Sequence, residues 1–295
     1  ASTHGMTFGN WRAGRITEAA TLTYRDEANC YGLAEKIEHT AGVQGIQSLP
    51  QPRVWPAGTK LIQKLTIEAA PKGIMALARV DAAGPAQAMA FAAFAPKVKV
   101  RWDDAFLYVE SNGIPAHGMM VGITAWQQQV PLPQQYRGAN AWRFPLVAKP
   151  AATPLSAKDH FFRGAIAIAA NGVPIFNPIK NDGHTDTFLA GELDEFGGHG
   201  GRADDYHYHL SPLHLQKGIG TSLPVAYALD GYPIFGINEP DGSAPGRLDA
   251  FNGHTMADGA YHYHSTRTYP YLNGGFHGEV VERDGQVDPQ PNARP

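Results

Sequence analysis

Six of the thirteen histidines in the chain stand in one pattern that is written twice. The first copy runs Leu193-Asp194-Glu195-Phe196-Gly197-Gly198-His199, then six residues, then Tyr206-His207-Tyr208-His209. The second runs Leu248-Asp249-Ala250-Phe251-Asn252-Gly253-His254, then six residues, then Tyr261-His262-Tyr263-His264. Every shared residue keeps an offset of 55. At the chain's own tyrosine and histidine frequencies, one such tetrapeptide is expected about once in a thousand chains of this length, so a matched pair points to internal duplication. In an extended strand alternate side chains share a face. His207 and His209 therefore point one way, with Cα atoms about 6.6 Å apart, while Tyr206 and Tyr208 point the other. Two imidazoles so placed can converge on one ion, and neutral imidazole suits zinc, copper, iron or nickel rather than magnesium or calcium.

Each copy adds a third ring, His199 or His254, behind a glycine that lets the backbone turn sharply. The candidate metal ligands are therefore His199, His207, His209, His254, His262 and His264. The competing reading is a polar core in which the rings bond backbone carbonyls and carboxylates, with no ion. Asp194 and Asp249 hold matched positions five residues before the glycine-linked histidines. They are either carboxylates that orient an imidazole N–H, and so candidates for the catalytic apparatus, or turn caps. Asp204 and Asp205 precede only the first tetrapeptide, which reads as a solvated turn or a catalytic carboxylate. His184, in Asn181-Asp182-Gly183-His184-Thr185-Asp186, is a further acid-base candidate, and His277 is placed at the rim. His160 and His214 lack partner spacing and are not expected to be ligands.

The elements that must position these rings show their own spacing. Three β-favouring runs end in Asn112-Gly113, Asn171-Gly172 and Asp230-Gly231, an interval of 59 each time. Such a pair is a strong hairpin signal because both turn residues must accept positive φ. The proline two places beyond each glycine, Pro115, Pro174 or Pro233, belongs at an edge or a bulge. The expectation is an all-β, pseudo-symmetric domain of three hairpin units, of which the second and third carry the histidines. The two motifs then face each other across a pseudo-axis and hold a cation between them, in one shared site or two. His117 stands where the sibling hairpins have Phe176 and Phe235, which makes it a candidate ligand added by the first unit. That unit offers Trp126, Tyr136 and Trp142 instead of the motif, read as core or cover rather than pocket lining.

The segments Leu193-Asp194 to His209, Ala228-Leu229-Asp230-Gly231-Tyr232-Pro233-Ile234-Phe235-Gly236, Leu248-Asp249 to His264, and Tyr269-Pro270-Tyr271 with Gly278 resemble the YHYH-domain family. The resemblance covers roughly residues 100 to 280. It implies an exported protein and carries no settled activity. Family members often have cysteines at the positions of Phe251 and Gly275, so the cross-link that pattern implies is excluded here.

Residues 1–98 read as a separate β-rich accessory region, 99–280 as the repeat domain and 281–295 as a tail. Residues 16–24, 60–68 and 73–81 are the expected accessory strands. Cys30 has no partner in the chain, and Glu35, Glu38 and His39 read as a solvated helix face. A formal charge of -3 with mixed signs argues against nucleic acid or a membrane surface as partner. No apolar run reaches membrane-spanning length; Met89–Ala95 is short and alanine-rich and reads as core. A start at Ala1 without methionine fits removal of a signal peptide and export.

Two functions fit this reading. In a metalloenzyme, a zinc or copper ion with an open position acts on a small-molecule substrate, by water-based hydrolysis or by copper redox chemistry, since no serine or cysteine nucleophile signature is present. In a non-catalytic module, a closed site carries metal or staples the repeats together.

Overall fold

A computed structural model describes residues 2–12, 15–26, 60–69, 76–125, 131–200, 205–283 and 285–291. The chain is mostly β and divides into two compact units, residues 1–86 and 87–295. In the first unit, β1 (Ser2–Arg12) pairs antiparallel with β2 (Arg15–Asp26) from Ser2↔Asp26 to Arg12↔Arg15, with an irregularity at Gly9/Trp11. Likewise β3 (Lys60–Ala69) pairs antiparallel with β4 (Ala76–Pro85). The turn signal at Ala83-Gly84-Pro85 falls at the end of β4, where a proline costs no interior ladder bond. Cys30, Glu35, Glu38, His39 and the turn signals between 51 and 58 lie outside the described residues, as do Trp126 and Asp204.

The second unit opens on a short helix, α1 (Met89–Ala92). Phe91 stacks on Phe144 and Tyr227, with centroids 6.3 and 6.0 Å away, so residues 87–98 belong to this core rather than to the first unit. β5 (Lys99–Trp102), β6 (Phe106–Glu110) and β7 (Trp142–Pro145) form a three-stranded antiparallel sheet. On β6, Leu107 and Val109 are buried while their neighbours are half-buried, the alternation of a sheet covered on one face. β8 (Pro150–Ser156) will pair with the last strand, described below.

The centre of the unit is an eight-stranded sheet. Its middle strand, β9 (Ala165–Ala169), reads Ala-Ile-Ala-Ile-Ala without polar alternation because every residue is buried. It is followed by β10 (Pro174–Phe176), β11 (Gly198–Gly200) and β12 (Tyr206–Tyr208). After a short helix, α2 (Gln216–Ile219), come β13 (Ala226–Ala228), β14 (Pro233–Phe235), β15 (Gly253–Thr255) and β16 (Tyr261–His264). The spatial order is β11-β12-β10-β9-β13-β14-β16-β15. β17 (Gly275–Gly278) lies antiparallel to β8 in a separate ladder.

The order reads the same from both ends once residues are matched by the offsets 59 and 55. Tyr227 lies opposite Ile168, which is 59 residues earlier, and Ala226↔Ala169 and Ala228↔Ala167 pair reciprocally around them. Outward, Ile175↔Tyr208 in the parallel pair β10/β12 matches Ile234↔Tyr263 in β14/β16. At the edges His199↔His207 matches His254↔His262.

The first of the three expected hairpins does not join this sheet. β6 pairs with β5 and β7, no strand follows Asn112-Gly113 before residue 125, and Ser111 bridges Tyr136 instead. The siblings continue Pro-Ile-Phe, with Ile175 and Ile234 fully buried, whereas the first unit continues Pro115-Ala116-His117 and exposes Ala116. It lacks the apolar side chains that hold the returning arm. The turns themselves also differ from expectation. Only Gly172 (φ 76°) and Gly231 (φ 94°) take positive φ; Asn171 and Asp230 do not. With Gly172 N–H donating to Ala169 O and Ala169 N–H to Val173 O, the turn is the three-residue form closed by a glycine bulge. Gly275 (φ 148°) faces the ring of Phe251, whose Cδ1 would lie 2.9 Å from an added Cβ. The two positions at which the resemblance places cysteines are therefore neighbours, filled here by a ring over a glycine.

Candidate metal centres

Strand geometry brings three imidazoles together at each edge of the large sheet. His207 and His209 share a face of the β12 segment by period-two alternation, and His199 lies directly across from His207 on β11, hence on the same face. The three ring centroids are mutually 4.9 Å apart. On β15 and β16, His254, His262 and His264 repeat the arrangement with centroids 4.6, 5.2 and 4.8 Å apart. The described residues hold two groups that could bind a metal ion: His199, His207 and His209, and Glu239 with His254, His262 and His264.

The two ladders do not meet. Four strands separate β12 from β16, five inter-strand steps of about 4.8 Å, or roughly 24 Å along the sheet. The expected single cation between the motifs is replaced by two separate clusters. The physical reason is topological: the pseudo-axis passes through the β9/β13 pair, where apolar runs demand the centre, so the histidine strands are driven to opposite edges.

In the first cluster the outer ring nitrogens fix the inner ones. His199 Nδ1 lies 3.0 Å from Glu192 O, His207 Nδ1 3.2 Å from Asp205 O and His209 Nδ1 2.7 Å from Asn177 O. A carbonyl only accepts, so each Nδ1 carries the proton and donates it outward. Burial pushes His199 below the usual imidazole range and His209 well below it, which keeps them neutral. Their Nε2 lone pairs then point inward, with His199 Nε2 and His209 Nε2 3.1 Å apart. Lone pairs that converge without a proton between them repel, and a cation resolves the conflict. A purely hydrogen-bonded core accounts for the Nδ1 atoms and leaves the Nε2 atoms unexplained.

In the second cluster the three Nε2 atoms are 3.0, 3.2 and 2.9 Å apart. Three mutual contacts cannot all be donor–acceptor pairs, because a triangle cannot alternate donors and acceptors. An ion at the roughly 2.0–2.1 Å of a zinc–imidazole bond would stand about 1 Å above the plane of this triangle, so the spacing suits one. Glu239 Oε1 is 2.9 Å from His254 Nε2 and 3.4 Å from His264 Nε2, and its Oε2 is 3.2 Å from His262 Nε2. Burial, followed by the neighbouring imidazoles, pushes His262 down to about 3; His264, oriented by Gly236 O at 2.9 Å, is pushed down first by burial too.

Glu239 was not anticipated. It lies 59 residues after Lys180, so the hairpin interval puts a carboxylate and an ammonium at equivalent positions. A search at that interval beside the histidine strands finds it; a search confined to the histidine motif does not.

On the opposite face of each tetrapeptide the tyrosines anchor the turns. Tyr206 OH donates to both carboxylate oxygens of Asp194, at 3.0 and 2.9 Å, and Tyr261 OH to Asp249 Oδ2 at 2.8 Å. Asp194 also accepts from Phe196 N–H and Gly198 N–H, and Asp249 from Phe251 N–H and Gly253 N–H. Both are turn caps; neither reaches an imidazole, and backbone carbonyls take the orienting role expected of them. The glycine before His199 and His254 has a different purpose from the expected sharp turn. The positive φ belongs to the preceding Gly197 and Asn252, while a Cβ on Gly198 or Gly253 would overlap the Tyr206 or Tyr261 hydroxyl. Gly253→Ala is therefore expected to dislodge the Tyr261–Asp249 bond and cost about 1–3 kcal/mol in urea unfolding; an unchanged midpoint would refute this role.

The remaining candidates lie elsewhere. His117 is in neither cluster: its ring stacks on Phe196 at 3.9 Å, its Nε2 is 2.7 Å from Tyr208 OH, and His214 is 4.9 Å away between centroids. Tyr208 points away from His207 and His209, so a residue bound to it is on the wrong face to be a ligand. His184 is exposed beside Asp182 at 3.7 Å. Asp205 is buried and accepts a short bond from Tyr136, so it is not a solvated turn. His277 stacks on Tyr261 at 3.8 Å, on the tyrosine side.

The comparison with known families bears on this region. Residues 141–246 match the family model described as YHYH protein. This span belongs to the YHYH protein family. It contains β7 through β14, with the whole first histidine cluster and Glu239, and it ends before Asp249. The second tetrapeptide is thus outside the YHYH match, although its strands repeat the geometry of the first. No curated protein and no solved structure matches the chain at a significant level.

Proposed function

We propose that the protein is an exported metal-binding protein with two distinct transition-metal centres, zinc or copper, generated by duplication of a hairpin-plus-motif unit. One observation carries the reading: at the first cluster every Nδ1 is committed to a backbone carbonyl, so three neutral Nε2 lone pairs converge. The reciprocal pairing about Ile168 and Tyr227 supports the duplication.

The centres differ in kind. Glu239 supplies a fourth donor to the second, the closed donor set of a structural site, whereas the first offers three donors, the set that leaves a position open for chemistry. Bound in the first centre, such an ion would supply Lewis acidity and an acidified water for attack on a small molecule. The chain's own contribution is to hold three imidazoles in one tautomer, to exclude bulk water by burial, and to place Lys180 and Glu192 beside them. We accordingly place enzymatic activity, on a small molecule, at the first centre and a stabilising role at the second.

Elemental analysis of protein purified without a histidine tag tests the proposal: about two zinc or copper ions per chain are expected, and a metal-free preparation that refuses both ions would refute it. If chelation lowers the melting temperature and no ester, amide or phosphoester panel shows metal-dependent turnover, the enzymatic half fails and the staple half stands. Export is tested by fractionating the native host, where a cytoplasmic location would contradict it.

A further inference from the structure

The swap of Lys180 for Glu239 at equivalent positions separates what the two centres can accept. At the second centre the Glu239 carboxylate lies within 3.4 Å of all three Nε2 atoms. At the first, the corresponding Lys180 turns to Glu192, with Nζ 2.8 Å from Oε1. A lysine ammonium is three donors and no acceptor, so it cannot complete a coordination sphere. His199, His207, His209, Lys180 and Glu192 all line one pocket of about 300 Å³.

Charge accounting points the same way. A divalent ion on three neutral imidazoles is +2, and the Lys180–Glu192 pair adds nothing, whereas Glu239 brings the second centre to +1. A partly buried double charge calls for a compensating anion. A second observation is independent of the histidines: Glu192 is 7% exposed, and its Oε2 is buried without a hydrogen-bond partner on the same pocket. An acceptor left open there is matched by a ligand that brings a proton donor, as a monoprotonated phosphate or a hydroxy-acid does.

Resting on the two-centre reading, we propose that the first centre alone takes an anionic oxygen ligand, a phosphate or carboxylate group of a small molecule, with Lys180 selecting for negative charge and Glu192 Oε2 receiving the ligand's hydroxyl. The ligand's oxygen occupies the position that Glu239 fills in the second centre. The sister centre is closed to such ligands by its own side chain.

Cobalt(II) substitution reads this directly, because its visible absorption responds to a change of ligand. In His262→Ala protein, which retains the first centre, inorganic phosphate should shift the cobalt band saturably. In His207→Ala protein, which retains the second, it should leave the band unchanged. Lys180→Met should weaken the phosphate response about tenfold or more, and Lys180→Glu should abolish it by supplying a fourth donor, with cobalt still bound. Doubly loaded wild-type protein serves if a histidine variant fails to fold: about half of its band should respond, and Glu239→Gln should raise that share. A phosphate response equal at both centres, absent from the first, or indifferent to Lys180→Met would overturn the proposal while the two-centre reading survives. Failure of both centres to take cobalt would overturn both.

Discussion

Replacing His262 with alanine is expected to remove one of two bound ions and to lower the melting temperature, while the matching His207→Ala removes the other ion with a smaller thermal effect. His262 is fully buried, and its Nε2 lies within 3.2 Å of His254, His264 and Glu239. Without that ring the remaining pair and the Glu239 carboxylate no longer form a four-donor set. An ion present at a thousand times its dissociation constant stabilises the folded state by about 4 kcal/mol, which for a unit of this size corresponds to roughly 8–16 °C. The first centre, with three donors and an open position, holds its ion less tightly and contributes less. Elemental analysis and thermal unfolding of the two variants check the asymmetry. Equal thermal losses would contradict the division between a closed and an open centre.

The second large effect is expected at Asp230, which is fully buried. It accepts from Tyr263 OH at 2.6 Å, Gly278 N–H at 2.9 Å and Tyr232 N–H at 3.3 Å. Tyr263 stands between His262 and His264, so this carboxyl holds the strand that presents both rings. Asp230→Ala leaves two or three buried donors unpaired at about 1–3 kcal/mol each, a loss of about 3–5 kcal/mol in urea unfolding. A loss below about 1 kcal/mol would show that the network is not needed. Burial pushes the Asp230 carboxyl up to about 6, against hydrogen bonds that pull it down. A raised folded pKa means the folded state binds the proton more tightly. The contribution is therefore complete below the unfolded value near about 3.9 and declines as pH rises through 6. Relative to Asp230→Asn, which does not titrate, the native protein should lose ground between pH 4 and pH 7. An advantage that stays flat across that range would contradict the assignment.

Much of the candidate site was legible because strand periodicity is local. The alternation of His207 with Tyr208 and the constant offset of 55 are enough to put His199, His207 and His209 on one face, and the structure does so. The number of sites was not legible. It depends on which strands take the centre of the sheet, and that is decided by β9, whose five buried residues cannot sit at an edge. His117 misled because a substitution within a spacing pattern says where a residue is in the chain, not which face it reaches; the first unit left the sheet once Ile and Phe became Ala116 and His117. Asp194 and Asp249 were correctly seen as a matched pair, and of the two roles open to them the turn cap is the one the hydrogen bonds show. Glu239 escaped because its counterpart is a lysine, so a search for repeated identity passes over it.

Crystals of the native protein measured at the absorption edge of its own metal test the central claim most directly. The account predicts two anomalous peaks per chain, roughly 24 Å apart, one among His199, His207 and His209 and the other among His254, His262, His264 and Glu239. A single peak midway between the tetrapeptides, or well-ordered imidazoles with no peak beside them after growth in zinc and copper, would contradict it.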